Sequence, residues 1–246
     1  MLAEDARGWG LDAALPITPQ IYRHLRERII RSDLKPGNRI SEAEIARACD
    51  VSRQPVREAF IKLAEQGLLA ILPQRGTIVS RIAYAAVLDA RFLREAIEAD
   101  IVAILAHTPD PALIAELRAQ IARQRETTEP AGFMRLDEAF HRTLAEGAGK
   151  GGAWKQVEGL KSQMDRVRFL SFGRFPMAKL IDQHAAIVDA IASGDIPRAN
   201  AAMRGHLREI LGDLPEVIAA NPEFFDLPAG PLPLPINAPI QGGVET

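Results

Sequence analysis

The stretch Val51–Gly67, VSRQPVREAFIKLAEQG, constrains what this chain can fold into more than any other. Ser52 is a natural N-cap, because its hydroxyl can accept a hydrogen bond from a free backbone N–H of the first turn. Pro55 falls inside that turn, where its missing N–H leaves nothing unpaired. Val56, Ala59, Phe60 and Leu63 recur at three- and four-residue steps and make one apolar face. Arg53 and Arg57 lie side by side on another face near the leading end. Gly67 suits the left-handed position that ends a helix. A short helix that buries one face and holds two guanidiniums at its N-terminus is built to meet something anionic. It reads as a DNA-recognition helix.

The flanks complete a module. Thr18-Pro19 opens a helix with Ile21, Tyr22, Leu25 and Ile29 inward, and Lys35-Pro36-Gly37 is a turn signal. Ser41 followed by Glu44 is a capping box that starts a second helix. Cys49-Asp50-Val51 is then the tight turn of a helix-turn-helix. Leu68–Leu72 and Thr77–Ser80 are short apolar runs around Pro73-Gln74-Arg75-Gly76, as in a β-hairpin wing. Residues 1–16 read as a flexible tail, and residues 17–81 as a winged helix-turn-helix.

Charge separates this module from the rest. Residues 17–81 carry twelve Lys/Arg against seven Asp/Glu, while residues 82–246 carry seventeen against twenty-two. A basic module joined to an acidic one implies that only the first touches phosphate. The single cysteine, Cys49, excludes an internal disulfide framework. No apolar run approaches the roughly 18 residues of a membrane span, and no secretory leader is visible. A cytoplasmic protein is expected.

"LKPGNRISEAEIA", "VSRQPVREAFIKLAEQGLL" and "PQRGTIVS" resemble the N-terminal domain of GntR-family bacterial transcription regulators. The resemblance implies DNA contact by Arg39, Arg53, Arg57 and Gly76, with Arg75 beside that wing glycine. Geometry adds Gln54, on the exposed first turn. Arginine can grip guanine or phosphate in bidentate fashion.

From Tyr84 onward the chain reads as helix after helix, near 84–106, 111–127, 132–146, 153–172, 177–193 and 195–211. The fourth span can also be two helices. Asp110 and Asp195 are N-cap candidates. Residues 82–220 therefore predict an all-α antiparallel bundle. Asp137 and His141 share one helix face, His184 belongs to a later helix and His206 to the last. One carboxylate and three imidazoles suit zinc, with nickel or manganese as alternatives, although lone helical histidines are more often structural. "LDEAFHRTL" and "HAAIVDAIASGDIPRANAAMRGHL" resemble the FCD effector-binding domain of the FadR-type GntR branch. That resemblance implies that Asp137, His141, His184 and His206 are metal ligands. "REAIE" is similar to the family's Arg-xx-Leu-Glu signature and points Arg94 at the effector pocket. Pairing of Arg94 with Glu98, four residues on, is the structural alternative. Where the family often has Ala-Gly-Asn, this chain has Ala148-Gly149-Lys150, which alters the pocket rim. Residues 221–246 read as a proline-rich tail, extended from Leu227.

These features predict a ligand-responsive regulator, most simply a repressor, acting as a homodimer on an inverted-repeat operator. Its effector is expected to be a small organic acid bound at the metal. One alternative keeps DNA binding with a purely structural metal and a non-carboxylate effector. A remote one is a metallohydrolase fused to a DNA-binding module, but no His-Glu-xx-His motif supplies a base.

Overall fold

The computed structural model describes residue 6, residues 8–172 and residues 176–232. The winged helix is built from α1 (Ile17–Ile30), β1 (Arg39–Ile40), α2 (Glu42–Ala48), α3 (Arg53–Glu65), β2 (Leu69–Leu72) and β3 (Gly76–Val79). Strand order is β1-β3-β2, antiparallel throughout, with Arg39 opposite Ile78 and Leu72 opposite Gly76. Its core joins Ile21, Leu25 and Ile29 of α1 to Ile45 of α2 and to Val56, Phe60 and Leu63 of α3. The periodicity of α3 thus placed every inward residue correctly.

Ser41 caps α2 through the backbone N–H of Glu44. Ser52 occupies the N-cap of α3 with extended backbone, but its hydroxyl makes no capping bond. The reason is local: Pro55, at the third helical position, lacks the N–H that such a hydroxyl would bind. At the other end, Gly67 adopts φ +68°. There Leu68 N–H donates to Leu63 O and Gly67 N–H to Ala64 O, a Schellman closure. The two-residue strand β1 was not foreseen. Nor is the N-terminal segment wholly loose, since Trp9 and Leu11 pack against the core and Trp9 stacks on His24 at 5.0 Å.

A two-residue strand, β4 (Ile82–Ala83), leads into seven helices: α4 (Tyr84–His107), α5 (Pro111–Glu126), α6 (Pro130–Gly147), α7 (Gly151–Leu160), α8 (Ser162–Ser171), α9 (Met177–Ala192) and α10 (Ile196–Ala220). Asp110 and Asp195 cap α5 and α10 with their carboxylates. The expected span 153–172 is indeed two helices, broken at Lys161. Helix α10 runs nine residues beyond its expected end, through Pro215. Burial of Leu214, Val217 and Ile218 against the start of α4 offsets the lost backbone bond. After it, Phe224 and Phe225 return to the core, and β5 (Phe225–Asp226) pairs in parallel with β4, Ile82 opposite Phe225. Most of the expected extended tail, residues 233–246, lies outside the described residues. Among those described, no helix is long and apolar enough to cross a membrane.

The two domains meet through polar contacts. Arg26 of α1 pairs with Asp165 of α8 at 2.7 Å, and Asp165 also takes Lys161 Nζ at 2.8 Å. Gln66 Oε1 accepts from Tyr22 and Ser162, and Gln163 Nε2 donates to Gly67 O at 2.8 Å.

Helix α4 packs along α10, and a buried carboxylate fixes their register. Glu95, fully buried, takes Arg91 Nη1 at 2.7 Å, Arg204 Nη1 at 2.9 Å and Arg208 Nε at 3.0 Å. Burial pushes the Glu95 carboxyl up, but hydrogen bonds from Arg208, Arg204 and Arg91 outweigh it and hold it at about 2. Glu95→Gln should cost about 3–5 kcal/mol in urea denaturation at pH 7, because three guanidiniums lose their shared charge. Folding lowers the Glu95 pKa, so its contribution is whole above the unfolded value of about 4.3 and is lost as pH falls from there through the folded value of about 2. The wild-type advantage over E95Q should shrink between about pH 4.5 and pH 2.

Candidate functional site

Four side chains from three helices converge inside the bundle. Asp137 and His141 project from one face of α6, His184 comes from α9 and His206 from α10. One ligand atom from each lies within 4.8 Å of all the others. His206 Nε2 is 3.2 Å from His141 Nε2 and 3.3 Å from His184 Nε2. Asp137 Oδ1 is 3.4 Å from His184 Nε2 and 3.9 Å from His141 Nε2.

The outer ring nitrogens decide the tautomers. His184 Nδ1 meets Gln124 Oε1 at 2.8 Å, and His206 Nδ1 meets Gln183 Oε1 at 2.9 Å. Both amides are oriented by their own donors, Gln124 Nε2 to Leu136 O and Gln183 Nε2 to Glu209. An amide oxygen only accepts, so each Nδ1 carries the proton and each Nε2 turns a lone pair inward. His141 Nδ1 lies 2.5 Å from Glu98 Oε2 on α4, which sets the same polarity. Burial pushes His184 and His206 down toward neutral imidazole. Burial pushes Asp137 up, yet the imidazoles of His184, His141 and His206 around it hold it well below the usual carboxylate range. Phe140 stacks on His184 at 4.3 Å and fixes that ring. Three inward lone pairs at such distances repel unless a cation lies among them. The donor set therefore fits a divalent metal.

Arg94 is buried, and its Nε donates to Glu98 Oε1 at 2.6 Å. Burial pushes Glu98 up, but Arg94 and His141 hold it at about 2. The pairing foreseen as an alternative is thus present, but in the interior, linking Arg94 through Glu98 to His141. Arg94 also lines a cavity beside Asp137, with Met134, Lys161, Asp165, Arg168 and Phe172 around it. This cavity is tight, about 10 Å³, room for roughly one water. Sequence reasoning missed Arg168. Among the described residues it has no ion-pair partner within 4 Å, and burial holds its pKa below the ordinary guanidinium value. Sequence reasoning also missed Gln124 and Gln183; the adjacency of Gln183 to His184 was the one available hint. Lys150, the departure from the family's Asn, is exposed at the start of α7 and does not line this cavity.

On the winged helix, Arg53, Gln54 and Arg57 are exposed on the first turns of α3, Arg39 on β1, and Arg75 and Gly76 at the wing tip. Among the described residues none of these four arginines has an ion-pair partner. Gln54 Nε2 donates to Glu58 Oε1 at 3.0 Å. Gly76 adopts φ +89° with open space around it, so its backbone is free to approach a phosphate.

Residues 17–79 match the profile of bacterial regulatory proteins of the gntR family, and residues 89–209 match the FCD domain. An uncharacterized HTH-type transcriptional regulator of Streptomyces ambofaciens is 41% identical over 219 residues, 88% of this chain and 93% of that protein. The chain belongs to the GntR family. The HTH-type transcriptional repressor RspR of Escherichia coli K12 is 38% identical, over 87% of this chain and 96% of its own. In solved structures, E. coli McbR/YncC shares the fold at TM-score 0.69 and 18% identity, covering 81% of this chain and 97% of its own. A GntR regulator from Rhodococcus sp. RHA1 superposes at TM-score 0.62 with 26% identity, over 82% and 98% of the two chains. Membership in this family makes the protein a DNA-binding transcriptional regulator and not an enzyme, which removes the hydrolase alternative.

Proposed function

We propose that this GntR-family protein is a cytoplasmic repressor whose helical domain binds a divalent metal and senses a small organic acid. The observation that carries the reading is the inward convergence of three imidazole Nε2 atoms and Asp137, each imidazole backed by an outer acceptor. Asp137, His141, His184 and His206 would hold the ion, zinc first and nickel or manganese next. A bound divalent ion supplies a positive anchor for a carboxylate oxygen. Arg168, which has no ion-pair partner within 4 Å among the described residues, would meet the rest of that charge, with Arg94 behind it. Entry of an acid requires Met134 or Phe172 to rotate, since the cavity is tight. Repressor function is supported by the names of relatives, RspR among them.

Arg53, Gln54 and Arg57, with Arg39, Arg75 and Gly76, would contact the operator. A homodimer presents two such surfaces to an inverted repeat. Phe92, Leu93 and Ile104 leave apolar surface exposed on α4 for the second copy.

Arg53→Ala or Arg57→Ala should weaken operator binding at least tenfold, and a lost phosphate contact should lower the salt slope by about 1. Gln183→Leu, which strips His206 of its outer acceptor, should weaken divalent-ion affinity by about 10–100-fold in a competition titration with a chelator. A thermal-shift panel of small organic acids tests the sensing reading. One acid should stabilise metal-loaded protein, by roughly 2.7 kcal/mol at 100 times its dissociation constant, and fail on the chelated form. If chelation melts the helical domain and no acid shifts any form, the metal is structural and the effector is not a carboxylate.

A further inference from the structure

We propose that the cleft between the DNA-binding domain and the bundle is a second ligand site, built for an organic carboxylate with a sizeable apolar body. The cleft runs between α1 and α6 and encloses about 320 Å³, within the roughly 300–1,000 Å³ of pockets that bury small molecules. The cavity beside the histidines holds about 10 Å³. The two spaces are separate but share a wall, because Met134 and Asp165 line both.

The charge at the rim is unbalanced. Arg31 and Arg135 both reach for one oxygen, Glu27 Oε1, at 3.3 and 3.5 Å. Arg23, on the same stretch of α1, has no ion-pair partner within 4 Å among the described residues and is exposed. Asp33, 4.0 Å from Arg31 Nε, is the second carboxylate that reaches this group, so the three guanidiniums still outnumber the carboxylates paired with them. Arg142 does not add to this excess, since Glu138 and Glu158 hold it at 3.1 and 2.6 Å. The pairs around Glu27 are solvent-exposed and weak, so an incoming carboxylate can exchange into them and bind bidentately. Below the rim the surface turns apolar, with Ile30, Ala131, Met134 and Ala139. An uncharged ligand leaves the arginines unanswered, a cation is repelled, and a very small acid leaves the apolar floor wet.

A molecule held by Arg23 of α1 and Arg135 of α6 bridges the two domains. It lies over the Arg26–Asp165 pair that already joins them. Such a ligand acts on the orientation of the winged helix directly, without passing through the histidine cluster.

Isothermal titration of the full-length protein with octanoate and 4-phenylbutyrate tests this site, with acetate and octan-1-ol as controls. At least one of the two amphipathic acids should bind saturably, one per chain, and at least tenfold more tightly than either control. Arg23→Gln with Arg135→Gln should weaken that binding tenfold or more, whereas Arg168→Gln should leave it within twofold. Both replaced residues are exposed, so an unchanged melting temperature is expected of the double variant. Absence of saturable binding of both acids overturns the proposal. So does a loss in R168Q with none in the double variant, which places the ligand beside the histidines. A double variant that binds the acids normally and loses only DNA affinity also overturns it, by making the arginines phosphate contacts.

Discussion

A carboxylate taken out of water must be met by cations or it will not stay charged, and that constraint organises the bundle. Glu95 is fully buried between α4 and α10, and three arginines from the two helices close on it. The two longest helices among the described residues are thereby fixed in register. Everything at the histidine cluster inherits this alignment, because α4 carries Arg94 and Glu98 while α10 carries His206. A slip of one residue would turn Glu98 away from His141 and His206 away from Gln183. The tie makes no contact with the histidines, yet it sets the site's geometry.

Around the cluster the polarity is consistent from outside inward. Glu98, Gln124 and Gln183 come from α4, α5 and α9, and each can only accept at the atom it turns to an imidazole. Five helices thus cooperate to present lone pairs to one point. Apolar packing could bring three histidines together but could not choose their tautomers. The outer acceptors do that. Across the domain boundary the same logic recurs with opposite sign. Asp165 collects Arg26 and Lys161, so that one carboxylate belongs at once to the cavity wall and to the winged helix's first helix.

Legibility in the sequence followed the range of the interaction. The core faces of α1 and α3, the cap at Ser41 and the left-handed Gly67 were readable because each depends on residues within a turn or two. The cap bond at Ser52 failed for an equally local reason, the missing N–H of Pro55, which weighing Ser52 alone overlooks. Asp137, His141, His184 and His206 were recognisable through the family's pattern; their spacing alone said little, since three separate helices carry them. Gln124, Arg168 and Asp165 were invisible because no sequence interval encodes contacts made across 60 to 140 residues. The strands β1 and β5, two residues each, carry no periodicity to detect. The continuation of α10 through Pro215 was hidden because a tertiary gain, burial against α4, overrode a local rule.

The pairing of β5 with β4 has a consequence in time. Strand β4 sits at the joint between the domains, at Ile82, and its partner is Phe225, near the end of the described chain. During synthesis the winged helix emerges first and can fold as a unit. Its contacts with α8 can form once that helix is made, but the β4–β5 pair waits for Phe225, which follows the helix that brings His206. Only then can Phe224 and Phe225 close over Ile82. A nascent or truncated chain that lacks Phe225 therefore has the α8 contacts alone, and the longer chain adds the β4–β5 pair behind them. The fold withholds the closing of β5 over the start of α4 until α10 is in place.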